Sequence, residues 1–206
     1  MTLSAELKEA IRYNINKLTQ NGAEYVDVRY YTCDDLEELI LDDGNLETNR
    51  TVYESGIGVR VLCGGAWGFA ATSDINDISN CFDLARNNAE TASKLVKIRL
   101  DMGKLPAHCD SYSSPVIKDY FDISLKEKLD FLKSIDAELD ESWITKRMIR
   151  TQFQRSSVFF FNSEGTEIEK NMRDVFGHIE IFATDKDGQN QRRSHDLFSN
   201  GNPNHL

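Results

Sequence analysis

The chain has 206 residues, of which 40% are hydrophobic and three are proline, so it is long enough to bury a core as one large domain or two small ones. Its formal charge is −10, and its basic residues form no run longer than two or three. Most of its surface therefore repels phosphate backbones and anionic lipid, which argues against a nucleic acid or membrane partner.

The sequence shows no pattern typical of secretion or membrane insertion. Its longest apolar run, SSVFFFN, is far shorter than the roughly 20 residues of a transmembrane helix. The opening residues MTLSAELKEAIRYNINKL lack the apolar core of a signal peptide, and the four cysteines are never spaced as C-x-x-C. We expect a cytoplasmic protein with reduced thiols.

The first residues predict a helix followed by strands. Apolar side chains recur every three or four positions, with Ser4 as an N-cap and Asn21-Gly22 as a stop, which predicts an amphipathic helix. From Val26 onward apolar and polar residues alternate, as in a strand with one covered face. Asp43-Gly44 predicts the tight turn of a hairpin.

A second turn and a second helix follow. Apolar and polar residues alternate again before Gly64-Gly65. This pair predicts a tight turn that leads to the strand AWGFA. Apolar residues at helical spacing from Ile78 to Val96 predict a long helix that begins after Ser73-Asp74. Residues 101–122 lose this periodicity and hold two of the three prolines, so we expect a connector there.

The second half repeats the order of helix, strand, hairpin and strand. Ser124 and Glu127 form a capping box ahead of an apolar helical pattern. Alternation then returns in RMIRTQFQ, around the Glu164-Gly165 turn and around the Asp187-Gly188 turn. These elements predict strands.

The repeated order predicts an α+β fold with helices packed on a largely antiparallel sheet. Two helix-plus-strand units are expected, at about residues 1–100 and 123–193, with the connector 101–122 between them. Two pairs of glycines fall at the same separation in the two halves, so a duplication is a hypothesis beside coincidence. These pairs are Gly44 with Gly165 and Gly56 with Gly177.

No familiar catalytic or metal-binding pattern is present. The four histidines, His108, His178, His195 and His205, are never three to five residues apart, so no helix presents two of them to one metal ion. Gly56-Ile57-Gly58 matches the start of the dinucleotide-binding motif G-x-G-x-x-G. The alternation of apolar and polar residues typical of a strand continues through it, however, and no helix is predicted directly after it.

The acidic stretch CDDLEEL and the residue Arg60 are the remaining candidates for chemistry. Paired carboxylates can do acid–base work, but on alternating strand positions a solvent-facing edge is the favoured interpretation. Arg60 lies in the middle of a predicted strand between glycines. Its favoured role is to pair with a carboxylate, and the alternative is to hold a peptide terminus.

The segment that contains DVRYY, LILDDG, Gly56-Ile57-Gly58-Val59-Arg60 and Gly68-Phe69-Ala70 resembles the N-terminal domain of the TldD/PmbA family, also called modulator of DNA gyrase or peptidase U62. The later stretches SLKEKLDFLKSID and FFFNSEGTEIEKNMRDVFGHIEIFATDKDGQNQ are also similar, and more to the TldD branch. The resemblance makes six residues structural or cleft candidates: Gly44, Gly56, Gly58, Arg60, Gly68 and Phe69.

The resemblance implies a supporting role. Members of the TldD branch are zinc metalloproteases that cut unstructured peptides, with the zinc on a His-Glu-x-x-x-His helix and a downstream cysteine in a C-terminal domain. No such motif occurs here, so no catalytic or metal-binding residue is assigned, zinc is implied only for the full-length protein, and the chain alone is predicted to be inactive. Residues 1–206 are expected to be the N-terminal domain, without the C-terminal metalloprotease domain.

Two functions follow from these observations. In the first, the chain lines the substrate cleft of a TldD-like zinc metalloprotease that degrades or processes unfolded peptides. It would pack against its C-terminal domain and support pairing with a PmbA-like sister subunit or a second copy. The alternative is a free-standing module that binds peptides or a partner and has no protease activity.

Overall fold

The computed structural model describes residues 3–116 and 118–199. Its helices are Ala5–Gln20 (α1), Ile78–Ser93 (α2) and Leu125–Glu138 (α3). Its strands are Tyr25–Asp42 (β1), Asn45–Cys63 (β2), Ala66–Thr72 (β3), Cys109–Ser113 (β4), Ile144–Asn162 (β5), Glu167–Thr184 (β6) and Asn190–Ser199 (β7). Over this part of the chain no helix has the length and apolar composition needed to cross a bilayer.

The strands are hydrogen-bonded in the order β3-β2-β1-β5-β6-β4, and β7 also pairs with β6. The pairs β2–β3 and β6–β7 are antiparallel, whereas β4 runs parallel to β6. Three helices accompany this largely antiparallel sheet in the described residues. The predicted α+β class is confirmed.

Helix α1 follows the predicted local signals. The Ser4 hydroxyl accepts a hydrogen bond from the Leu7 N–H at 3.2 Å, which satisfies one of the free donors of the first turn. The helix ends at Gln20, where Gly22 takes a φ of 91° that a side chain would oppose. Helix α2 begins after a short 3₁₀ turn capped by Asp74, but it ends at Ser93, before Val96.

Both early hairpins contain the predicted tight turns. Asp43 and Gly44 have φ angles of 45° and 75°, and Gly64 and Gly65 have φ angles of 60° and 74°. Two successive positive φ values match the twist of antiparallel strands, and glycine and aspartate adopt them at low cost. These turns fix the register of β1, β2 and β3.

The chain divides into two compact units made of alternating segments. Unit 1 consists of Met1–Thr32, Glu54–Ser113 and Ser157–Asn171. Its apolar core lies where α1 and α2 cover one face of the strands, and it contains Ile11, Val28, Val59, Phe82 and Phe159. Each fully buried side chain of this size contributes about 1.5–3 kcal/mol to folding.

Unit 2 consists of Cys33–Tyr53, Ser114–Ser156 and Met172–Leu206. It has its own core beside α3, which contains Leu39, Leu41, Leu132, Ile149 and Phe153. The strands β1, β2, β5 and β6 each contribute residues to both units, so neither unit is a continuous half of the sequence.

The strands are longer than the sequence indicated. The alternation in RMIRTQFQ and in SSVFFF predicted two strands, whereas β5 is one strand of 19 residues. A single residue, Arg155, separates the two predicted strands, and it stays in the hydrogen-bonded sheet with its guanidinium paired to Asp35 and Asp119. A charged residue therefore does not end a strand when its charge is paired.

The segment 101–122 also contains a strand that the sequence did not indicate. Strand β4 pairs with β6 through its backbone, and the Glu167 N–H donates to the His108 carbonyl at 2.8 Å. All five residues of β4 are exposed. With neither face covered, the strand has no apolar alternation to reveal it.

The capping box of α3 is present as predicted. The Ser124 hydroxyl and the Ser124 N–H both donate to the Glu127 carboxylate, at 2.7 Å and 3.0 Å, and hold the pKa of Glu127 below its usual 4.5. We expect Ser124→Ala to raise this pKa, as measured by carboxyl ¹³C NMR titration. Because the folded pKa is depressed, the stabilisation is present above the unfolded pKa and is lost as the pH falls through the folded value.

Ser134→Ala is the matched control for this prediction. Ser134 lies on the same helix, and its hydroxyl donates to the Phe131 carbonyl rather than to a carboxylate. The pKa of Glu127 should not change in this variant. An unchanged pKa of Glu127 in Ser124→Ala would show that the capping hydroxyl does not lower this pKa.

Candidate functional site

The structure brings five of the six candidate residues together on β2 and β3 of unit 1. The register places Gly58 opposite Ala71 and Arg60 opposite Phe69. Gly44 does not join them, because it lies in the β1–β2 turn within unit 2. A side chain at Gly44 would meet the Asp136 carboxylate at 2.9 Å, so this glycine serves local packing of the turn.

In unit 1 helices cover one face of the sheet, and the described helices leave the other face uncovered. The covered face carries Ile57 and Val59, which are buried in the core. The alternate positions point to the other side. We call this side the open face, and it comprises Tyr25, Asp27, Arg29, Tyr31, Gly56, Gly58, Arg60, Trp67, Phe69 and Phe160.

Asp27 is the centre of the open face. It is fully buried, with 0% exposure. Arg60 donates to it from Nε at 3.0 Å and from Nη2 at 2.5 Å, and Arg29 Nη1 lies 3.3 Å from its Oδ1. These hydrogen bonds raise the pKa of Arg60 above its already high usual value. A charged carboxylate without solvent is thus held by two guanidinium groups.

Aromatic rings extend this charged cluster. The Arg60 guanidinium lies 5.1 Å from the centre of the Trp67 ring, and the Arg29 guanidinium lies 5.1 Å from the centre of the Phe160 ring. Trp67 meets Tyr25 edge to face at 5.8 Å. Each cation over a ring contributes about 0.5–1 kcal/mol where it is partly exposed. The rings and cations therefore fix each other in position.

Gly56 and Gly58 leave space on this face. They border a shallow groove of about 420 Å³, together with Arg29, Tyr31 and Thr72. A Cβ at Gly58 would lie 3.3 Å from the edge of the Phe69 ring, which is 59% exposed. The groove thus offers main chain, an aromatic surface and a partly exposed guanidinium, which suit an extended polypeptide.

Gly68 has a different role, in the contact between β3 and α2. A Cβ at this position would lie 2.0 Å from the Ala85 carbonyl oxygen and 2.3 Å from the Ala89 nitrogen. Both contacts are with helix backbone, so no side chain fits. Gly68 allows α2 to pack directly on β3.

Strand β3 ends the strand order, so its outer edge is a candidate for pairing with another strand. Cys63 and Ala66 flank a two-residue turn and therefore form a hydrogen-bonded pair. Hydrogen-bonded and non-hydrogen-bonded pairs alternate along antiparallel strands. The N–H and C=O groups of Trp67, Phe69 and Ala71 thus point away from β2, toward the outer edge. The Asn88 side chain donates to the Phe69 carbonyl at 2.9 Å, in agreement with this direction.

The acidic stretch of β1 is not the solvent-facing edge that the sequence favoured. Glu38 is only 3% exposed, and its carboxylate lies 2.5 Å from Arg50 and 2.5 Å from Arg150. Glu37 pairs with the buried Lys128 at 2.7 Å. The expectation was wrong because basic side chains elsewhere in unit 2 neutralise these carboxylates.

Across residues 3–116 and 118–199, no group of three or more histidine, cysteine, aspartate or glutamate side chains is arranged to hold a metal ion. His178 Nδ1 lies 2.6 Å from the Asp196 carboxylate, as an isolated pair on β6 and β7. His205 lies outside the described residues.

The sequence alone missed Asp27, Arg29 and Trp67 as members of the site. The available signal was the polar face of the first strand, where Asp27 and Arg29 occupy alternate positions with opposite charges. Alternation separates the two faces, but it does not show that an acidic side chain on the polar face is buried.

Comparison with known proteins agrees with the resemblance found in the sequence. Residues 27–89 match the PmbA/TldA metallopeptidase domain 1, and residues 118–201 match the PmbA/TldA metallopeptidase central domain. A metalloprotease from Methanothermobacter thermautotrophicus is 23% identical over 175 residues, covering 82% of this chain and 36% of that protein.

Solved structures share the fold. A protein described as a candidate modulator of DNA gyrase from Thermotoga maritima superposes with a TM-score of 0.73 at 18% identity, over 97% of this chain and 44% of its own. A second candidate modulator of DNA gyrase, from Bacteroides thetaiotaomicron, superposes with a TM-score of 0.76 at 14% identity. The match covers 100% of this chain and 47% of that protein. TldE from Thermococcus kodakarensis superposes with a TM-score of 0.66 at 14% identity, over 95% of this chain and 43% of that protein.

The chain thus spans less than half the length of each of these relatives. The two family profiles together account for most of its residues, and they occur in the same order as the domain names imply. The chain belongs to the PmbA/TldD metallopeptidase family.

Proposed function

We propose that this chain forms the non-catalytic, peptide-facing part of a TldD-like zinc metallopeptidase that degrades or processes unfolded peptides in the cytoplasm. Residues 1–206 would line the substrate cleft, and a C-terminal domain would carry the zinc and the catalytic groups. The family match supports the peptidase class. The greater length of the relatives leaves room for a further domain.

The observation that carries the proposal is the outer edge of β3 beside the open face. Trp67, Phe69 and Ala71 direct their backbone groups away from β2. A peptide that adds to this edge gains main-chain hydrogen bonds that do not depend on its sequence. Phe69, which is 59% exposed, and the partly exposed Arg60 offer apolar and polar contacts beside the edge.

Subunit pairing is the second part of the proposal. The fold is shared with TldE from Thermococcus kodakarensis and with the two DNA gyrase modulator candidates. We infer that the partner is either a PmbA-like sister subunit or a second copy of this chain. The family resemblance supports this assignment, and size measurement of the purified protein alone and with a PmbA-like protein would test it.

Ala71→Pro tests peptide pairing at β3. Proline removes the outward N–H of Ala71 and leaves the β2–β3 ladder intact, since edge strands tolerate proline. We expect the affinity for a fluorescein-labelled unstructured peptide, measured by anisotropy, to fall about fivefold, as for the loss of one hydrogen bond of about 1 kcal/mol. The control Ala71→Val keeps the N–H and should bind as the unchanged protein does.

Equal affinity for the two variants, with both folded by circular dichroism, would contradict pairing at this edge. The free-standing binding module predicts the same loss of binding, so this measurement does not separate it from the peptidase. The coding sequence after codon 206 does: an in-frame His-Glu-x-x-x-His supports the peptidase. A stop codon without such a motif nearby supports the module.

A further inference from the structure

The groove of the open face runs across unit 1 from β1 to the outer edge of β3. Gly56 and Gly58 of β2 border it, and so does Ala71 of β3, which is paired with Gly58. None of these three residues has a side chain larger than a methyl group, so nothing long stands between the β3 edge and Arg29. A peptide that pairs with β3 places alternate side chains on this face. One of them can therefore enter the groove beside Ala71.

A single charge borders this groove. Among the described residues that line it, Arg29 has the only charged side chain. This side chain is 53% exposed, and its guanidinium lies 5.1 Å from the centre of the Phe160 ring, which holds it in place. An occupant of the groove thus meets a positioned cation, and the lining offers no acidic group. These features favour a negatively charged occupant.

The charge of Arg29 is only partly compensated by the protein. Asp27 is shared with Arg60, whose Nη2 lies 2.5 Å from the carboxylate, whereas Arg29 Nη1 lies 3.3 Å away. Two guanidinium groups have about ten N–H donors, and one carboxylate has about four acceptor positions. Two positive charges and one negative charge leave a local positive excess, although the whole chain carries −10. Donors and charge therefore remain for a second carboxylate.

We propose that the groove binds one carboxylate group of a peptide and that Arg29 recognises it. The inference rests on the proposed function, since it takes the ligand to be an extended peptide. The carboxylate accepts hydrogen bonds from the guanidinium N–H groups that Asp27 does not use, and such charged hydrogen bonds are the stronger ones. The same chemistry is found in an Asp or Glu side chain and in the C-terminus of a peptide.

The test uses three unstructured peptides that carry a neutral dye and are otherwise uncharged. Two are C-terminally amidated and differ in one central Glu or Gln, and the third is the Gln peptide with a free C-terminus. We expect fluorescence anisotropy to show about fivefold tighter binding of the Glu peptide than of its Gln counterpart, as for one partly exposed ion pair. The overall charge of −10 favours the opposite order, so general attraction does not explain this preference.

The third peptide distinguishes the two sources of the carboxylate. Tighter binding of the Glu peptide identifies an acidic side chain as the ligand. Tighter binding of the peptide with the free C-terminus alone identifies the terminal carboxylate. If neither binds more tightly than the amidated Gln peptide, the proposal is overturned.

Arg29→Ala should abolish the preference and leave the affinity for the amidated Gln peptide unchanged. Arg12→Ala is the matched control, because the Arg12 side chain is 52% exposed, pairs with Glu167 at 2.7 Å and lies on α1 outside the groove lining. It removes the same charge and should keep the preference. A preference that survives in Arg29→Ala, or that disappears equally in Arg12→Ala, contradicts recognition by Arg29.

Ala71→Pro separates this inference from pairing at β3. It removes a backbone donor and no charge, so it should weaken all three peptides alike. If it weakens binding while the three peptides bind equally to the unchanged protein, recognition by Arg29 is wrong and pairing at β3 stands. If it has no effect while Arg29→Ala abolishes the preference, the carboxylate site stands and pairing at β3 is wrong.

Discussion

Arg60→Ala is expected to lower the free energy of unfolding by about 3 kcal/mol, since it removes the main partner of a fully buried carboxylate. Asp27 has 0% exposure and receives its closest hydrogen bonds from Arg60. We take the lower end of the 3–5 kcal/mol typical of broken buried pairs because Arg29 still lies 3.3 Å away. Urea unfolding followed by circular dichroism measures the change.

Two further variants separate charge from packing. Arg29→Ala should cost less than about 1 kcal/mol, because the Arg29 side chain is 53% exposed and makes the longer contact. Asp27→Asn combined with Arg60→Ala should recover part of the loss, since it no longer leaves a buried negative charge. If the double variant is less stable than Arg60→Ala alone, the carboxylate is not the source of the cost.

Gly68→Ala is expected to destabilise unit 1 by about 3 kcal/mol or more, at the upper end of the cost of overpacking. The added methyl group would lie 2.0 Å and 2.3 Å from the backbone atoms of Ala85 and Ala89. Neither atom can move without displacing α2 from β3. Thermal and urea unfolding measure the change in stability.

Gly58→Ala is the matched control on the paired strand. Its methyl group would approach only the edge of the Phe69 ring, at 3.3 Å, and that ring is 59% exposed and can shift. The cost should stay within about 1 kcal/mol. A similar loss for both glycines would show that the close approach of α2 to β3 is not the constraint.

The sequence predicted the elements whose signals are local. Ser4 and Ser124 cap the helices that their positions indicated, and Asp43-Gly44 and Gly64-Gly65 turn where expected. In each case a few adjacent residues determine the geometry. The lengths of β1 and β5 could not be predicted, because the polar residues within them are held by partners far away in the sequence.

The site was predictable only in part, for a related reason. The motif around Gly56, Gly58 and Arg60 indicated which part of the sequence resembles the family. Asp27 is buried and is held by Arg60 of the neighbouring strand, and a single sequence does not show which carboxylate this arginine reaches. The same holds for Glu38, which looked like an exposed acidic residue and is buried among arginines.

The hydrogen bond from Asn88 to the Phe69 carbonyl already occupies one acceptor on the outer edge of β3. The amide occupies, at 2.9 Å, a position where an added strand would place its own N–H. A carbonyl oxygen has two lone pairs, so a well-aligned strand can share it or take the place of the amide. A strand that adds to β3 must therefore share this carbonyl with the Asn88 amide or displace it, which raises the cost of pairing at this edge.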